Sequence, residues 1–452
     1  MIKSILSYFK NSNNSETLFL NIFLTLTIIV LFLKFFVLYP IFPSSDEIVQ
    51  VERFTEWHNF LRREGISNHT INAFLAVIIK SLFGYDILYY RFISFFCFCL
   101  VIYIFKKKYP STLALSLFLF LIFSSPILTN YIYIFRGYYV WALLVVLNFY
   151  FIKKLISNNF DNKNYNIILI INLIMACHAL FTLYIVVPTI AAISLMVIKN
   201  KDITKIYNFF IFFLIPCSFF YFVVCVLEGF VNKFHGNLSF DYLLNNFFHI
   251  VQVGLPEGIN KIFFSQHMLN FEIKENIFVG LFKSLISRND YTDYGYTVLG
   301  IYIFSFCLLL FRIITRRLNI IDFIAILIII FFYIIDFVPE KRVHIGVIFF
   351  YIFYIFENIY NSILVVNKKI KLKYFFYTLV LMFLLINISP PDEKYSIHTK
   401  NEIIKVRKLK EIHTCNQLNK LLNDHEIWVM KNLYSNECSS KYDFINSKNI
   451  LY

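Results

Sequence analysis

Runs of apolar residues about 17 to 25 long recur from one end of this chain to the other, the length a helix needs to cross a hydrocarbon layer of roughly 30 Å. In lipid every backbone polar group must be satisfied internally, which leaves helices and closed barrels as the only spanning structures. Continuous apolar runs, without the alternation of a strand, point to helices. The charge content agrees: 15% of the 452 residues are charged, against roughly 25% in soluble domains. Disorder, a disulfide-stapled secreted scaffold and a soluble multi-domain enzyme are excluded, and the expected fold is an all-α polytopic membrane protein.

The formal net charge of +14 would suggest nucleic acid in a soluble protein, but here the placement of the charge indicates membrane lipids and no nucleic acid. A first helix over Thr17 to Tyr39 follows Lys3 and Lys10, without a small-residue cleavage site, and reads as a retained span with the N-terminus inside. Further spans follow at Ile87–Phe105, Ser111–Leu128, Tyr138–Lys153, Ile167–Cys177, Ala179–Ile198, Ile206–Leu227, Tyr296–Phe311, Ile320–Val338, Ile345–Val365 and Tyr374–Ile388. They complete a set of about eleven transmembrane helices. Their inner connections hold Lys106 to Lys108, Lys153, Lys154, Lys163, Lys199, Lys201, Lys205, Arg312, Arg316, Arg317 and Lys368 to Lys373. The short outer turns hold only Arg136, Lys341 and Arg342. Ile167–Ile198 would also read as one helix broken near His178, but merging the pair would put every later basic cluster outside.

Residues 1–388 thus form a membrane domain with outer loops 40–86 and 228–295, and 389–452 a small outer tail. Within the first loop, Glu47 to Glu64 carries Ile48, Val51, Phe54, Trp57 and Leu61 at helical spacing among charges, an amphipathic juxtamembrane helix. Thr70 to Phe83 has one apolar face, is too short to span comfortably, and is expected to lie on the outer interface. Six cysteines sit in the spans, with no metal-ligand spacing among them. Cys415 and Cys438, in the tail, read equally as a disulfide or as two thiols.

The chemistry-bearing residues are few. Asp46-Glu47 follows the first span; acids there cap a helix and complement its dipole, or supply carboxylates at the membrane boundary. Further on come Asn68-His69, opening the helix that ends in Leu82-Phe83-Gly84, then Tyr90-Arg91-Phe92-Ile93-Ser94 at the head of a span, then Arg136-Gly137-Tyr138-Tyr139. Glu340-Lys341-Arg342-Val343-His344 precedes a late span. Arg91 reads as tying its span to the first loop, and His178 as a packing residue.

In this order and spacing the motifs resemble the C-type (GT-C) glycosyltransferase superfamily, in particular the protein O-mannosyltransferases and the lipid A aminoarabinose transferase with their bacterial relatives. The resemblance covers about the first two hundred residues. It departs from the family at Thr70-Ile71, where paired prolines are common, and at Arg136, which lacks a neighbouring acid. The resemblance implies transfer of a sugar from a polyprenyl-phosphate donor to a lipid, glycan or protein acceptor on the extracytoplasmic face of a bacterial cytoplasmic membrane. Asp46, or alternatively Glu47, would be the base that activates the acceptor hydroxyl. Arg136 and Arg342, with Lys341 and His344, would hold the phosphate, and His69 would contact substrate or pack at its helix start. No metal ligand set is evident, and use of a divalent cation stays open. A multi-span transporter, or an envelope polysaccharide polymerase or ligase, is the alternative class; the near absence of charge within the spans weighs against the transporter.

Overall fold

A computed structural model describes residues 12–33, 69–83, 87–234, 247–259, 295–335 and 344–367. Among the described residues every regular element is helical. Among the described residues six stretches are long and apolar enough to cross a membrane: Tyr89–Lys108, Tyr138–Ser157, Leu180–Lys199, Ile203–Leu227, Thr297–Ile314 and Ile345–Val365. The expected Glu47–Glu64 helix, the span Tyr374–Ile388 and the tail lie outside the described residues.

The first helices are α1 (Ser12–Phe32), α2 (Thr70–Phe83), α3 (Ile87–Lys108), α4 (Thr112–Phe123) and the short α5 (Pro126–Asn130). The expected span Ser111–Leu128 is thus two helices. Its start is fixed by Ser111, whose hydroxyl accepts from the Ala114 N–H at 3.4 Å. Pro126 opens α5, where its missing N–H costs nothing.

Next come α6 (Tyr138–Ser157), α7 (Asn162–His178) and α8 (Leu183–Lys199). The chain reverses between the last two. Asn172 of α7 donates to Asn148 Oδ1 of α6 at 3.0 Å, and Asn148 donates to Thr189 Oγ1 of α8 at 3.2 Å. Residues on either side of His178 therefore return to one depth on α6, which a single long helix cannot do. The turn is closed by the Thr182 hydroxyl, donating to the carbonyls of Met175 and Ala179 at 2.5 and 2.6 Å.

α9 (Ile203–Phe209) runs through a π-helical segment, Phe210–Leu214, into α10 (Ile215–Phe234). Pro216 has no N–H to offer the carbonyl four residues back, and the widened turns just before it absorb that loss. α11 (Phe247–Ile259) packs on α10; α12 (Gly295–Ile314), α13 (Ile320–Ile335) and α14 (Ile345–Asn367) complete the described chain.

α6 packs against α3, α7 and α14. Their contact is filled by aromatic rings: Phe105 stacks on Phe118 at 4.0 Å, and Phe353 stands edge-on to Phe105 at 5.5 Å and to Phe149 at 5.8 Å. In lipid such packing, more than water exclusion, holds helices together. Large side chains on α9 and α10, including Tyr207, Ile215 and Phe219, face outward.

The bundle has two chemically different ends. At one, Lys108 of α3 and Lys153 of α6 both pair with Glu357 of α14, at 3.0 and 2.6 Å. Nearby helices contribute Arg312, paired at 2.7 Å with the fully buried Asp322, which also accepts from the Tyr354 hydroxyl at 2.8 Å. The opposite end carries histidines. α1 runs antiparallel to α3, since Asn21 bonds Lys106 while Phe32 meets Phe92 at 5.8 Å. Thus α1 finishes at the histidine end.

Candidate functional site

At that histidine end, the segment between α5 and α6 is held from several sides. The Tyr139 hydroxyl donates to Leu128 O at 2.6 Å, and Ser94, near the start of α3, donates to Ile134 O at 2.8 Å. Tyr90 packs on Phe135 at 5.3 Å. The Arg-Phe-Ile-Ser motif of α3 thereby grips the loop that ends in Arg136-Gly137. Arg91 and Arg136 are 1% and 5% exposed, and each engages a further residue of the chain.

Gly137 is the pivot. Its φ of 71° lies in the left-handed region, and a Cβ there would sit 2.8 to 2.9 Å from His69 Cβ, Cγ and Nδ1. The glycine is needed for both reasons: the backbone turn into α6, and the closeness of His69. His69 immediately precedes α2, its carbonyl accepting the Ala73 N–H at 2.8 Å. Its ring packs against Tyr138 at 4.7 Å and against His178 and Phe181 at 5.2 Å each.

His178, expected only to pack, also makes polar contacts. Its Nε2 lies 3.1 Å from Gly137 O and 3.3 Å from His69 Nδ1. A carbonyl oxygen can only accept, so His178 Nε2 carries the proton, and His69 Nδ1, facing that N–H, presents its lone pair. Neutral His69 then carries its own proton on Nε2. Two histidines far apart in sequence thus meet beside one carbonyl.

Beside this pair, Asn72 is fully buried, and among the described residues neither its amide nitrogen nor its oxygen has a hydrogen-bond partner. The same holds for the Thr70 hydroxyl and the Trp141 indole N–H. Each such group left unmet costs about 1 to 3 kcal/mol. His344 is 2% exposed and directly precedes α14, whose Gly346 lies against the Trp141 ring.

His69, Arg136 and His344 are therefore brought to one end of the bundle. Asp46, Glu47, Lys341 and Arg342 lie outside the described residues. The sequence sets Asn72 off the apolar face of α2 and gives no sign of the contacts of His178 with Gly137 O and His69; the structure buries Asn72 fully and shows both contacts. Among the described residues no group of three His, Cys, Asp or Glu side chains is arranged to hold a metal ion.

Comparison with protein-family models, with curated proteins and with solved structures finds no match to this chain.

Proposed function

We propose that this protein is an integral membrane glycosyltransferase of GT-C type, moving a sugar from a polyprenyl-phosphate donor to an acceptor at the histidine end. By the positive-inside rule that end is extracytoplasmic and the lysine end cytoplasmic. The observation that carries the reading is convergence. His69, the Arg91 to Ser94 motif, Arg136-Gly137 and His344 come from four separate parts of the sequence and gather at the end opposite the lysines. α1 also finishes there, with Asp46-Glu47 following it in sequence.

In this reading Asp46 takes the proton from the acceptor hydroxyl as its oxygen attacks the anomeric carbon. The bond from that carbon to the phosphate oxygen breaks, and the electron pair leaves with the lipid phosphate. Arg136 and Arg342 meet the charge that develops on it. The test is Asp46→Asn in purified protein, assayed for transfer from a polyprenyl-phosphate sugar. Loss of a general base predicts a fall of about a hundredfold or more; undiminished transfer would remove Asp46 from the role.

A further inference from the structure

The helix that runs through α9 and α10 has two unlike halves. The first is pinned at the lysine end: Asp202 caps α9, and Asn208 donates to Asn166 Oδ1, near the start of α7, at 2.9 Å. Then the ladder slips. In the π segment Phe210–Leu214 the Ile215 N–H reaches back five residues to Phe210 O, and Pro216, next in line, has no N–H to give. A widened turn followed by a proline is where a helix bends. Beyond it, α10 is joined to α11. Leu255 packs against Val224 and Cys225, and a Cβ at Gly258 would overlap Cys225 O, so the two helices touch backbone to backbone. An approach this close makes α10 and α11 one rigid piece.

That piece meets the bundle beside the histidine pair. Tyr221 of α10 donates to Ala176 O at 2.8 Å, one of the last carbonyls of α7, which have no partner within their own helix. His178 lies two residues further on. Leu180, in the turn after His178, packs with Leu183 against Val224 and Cys225. The cluster of Leu180, Val224 and Cys225 is distinct from the main core of the bundle, while Ile215, Phe219 and Phe248, on the outer side of the piece, are exposed.

We propose that α10 and α11 form a lateral gate, hinged at Phe210–Pro216 and latched by Tyr221 on Ala176, that opens a slot from the bilayer to the histidine end for an isoprenoid chain. That the chain is isoprenoid rests on the glycosyltransferase reading; the hinge and the latch stand without it. Within lipid there is no water to exclude, so parting Leu180 from Val224 loses packing that another branched apolar chain restores. The Tyr221 hydroxyl finds no such substitute. The latch is therefore what keeps the empty gate closed, shifting the closed-to-open ratio about three- to twentyfold, as an interhelical hydrogen bond in a membrane does.

The test uses the full chain in lipid nanodiscs. Spin labels are carried by non-native amino acids at Phe248 on α11 and Val187 on α8, both exposed, and pulsed electron resonance reads the distance between them. Wild type without a donor is expected to show one main distance. Tyr221→Phe keeps the ring and removes the latch, and should raise the population of a second, open distance about three- to twentyfold. Pro216→Ala returns an N–H to the ladder, and added to Tyr221→Phe it should lower that population again. The occupant is probed with a farnesyl phosphate carrying a diazirine in its chain. Light should attach it to the segments around Leu180 and Val224, more in Tyr221→Phe than in wild type, and unlabelled farnesyl phosphate should compete where added phospholipid does not.

A distance distribution that Tyr221→Phe leaves unchanged overturns the gate, and does so even where sugar transfer is observed. An open population that Pro216→Ala does not lower overturns the hinge. Attachment that phospholipid competes as well as farnesyl phosphate, or attachment elsewhere on the chain, overturns the isoprenoid occupant. A gate that opens and takes farnesyl phosphate upholds the proposal, and failure of sugar transfer in that case counts against the glycosyltransferase reading alone.

Discussion

Gly137 shows how much one residue can decide. A side chain at this position meets two penalties: the left-handed φ of 71° and a Cβ 2.8 Å from His69. Gly137→Ala is expected to cost about 2 to 5 kcal/mol, from roughly 1–2 for the backbone and 1–3 for the overlap, measured by denaturant unfolding in detergent. At the other end Asp202 caps α9, accepting from the Lys205 side chain and from its backbone N–H at 3.1 Å. The Lys205 ammonium, followed by that backbone bond, holds the Asp202 carboxyl below its ordinary value of 3.8. A depressed folded-state value means that the carboxylate's contribution is present above the unfolded value and lost as pH falls through the folded one. Lys205→Met should therefore lower stability slightly near neutrality, and its difference from wild type, followed by unfolding at a series of pH values, should shrink as pH falls below 3.8. His69 and Arg136 were legible as candidates because polar residues are rare here. Their geometry was not, since Gly137 and His178 act on His69 across the fold, and no spacing in the sequence records which histidine nitrogen faces a carbonyl.

Among the elements, α2 was legible with its bounds, Thr70 to Phe83, because its single apolar face and its length set it apart from the spans. The reversal at His178 was legible through charge, since only two antiparallel helices keep Lys199 on the side of Lys153. The break between α4 and α5, and the π segment before Pro216, were not, because an apolar run gives no sign of where its ladder slips. Nor was the contact of α6 with α14. There Gly346 lies so close to Trp141 that a Cβ would come within 2.4 Å of the ring. Trp141 is fully buried and cannot swing aside. Gly346→Ala should destabilise by about 1 to 3 kcal/mol. Gly300→Ala on α12, where nothing lies within 4 Å, should be neutral or gain up to about 1 kcal/mol in helix propensity. Unfolding curves of the two variants side by side measure the contact, and equal behaviour would mean that α14 does not seat on α6 this way.

At the scale of the whole molecule, the sorting of charge is the organising fact. Glu357 draws Lys108 and Lys153 together at one end, and Arg312 is neutralised by Asp322, so these basic residues tie the helices to one another. The other end gathers buried polar groups of a different kind, His69, Asn72, Arg91, Arg136, His178 and His344. The neutral Asn148, Asn172 and Thr189 between α6, α7 and α8 serve as interhelical bonds at mid-depth, and they offer an ion no charged stepping stone across the bundle. The account's central claim is that bond-breaking chemistry occurs at the histidine end. The most direct measurement reconstitutes the purified chain in vesicles with a polyprenyl-phosphate sugar and an envelope lipid or glycan extract, and follows the donor over time. The account predicts release of polyprenyl phosphate with the sugar recovered in the acceptor fraction; a donor that stays intact, whether bound or moved across the bilayer, would contradict it.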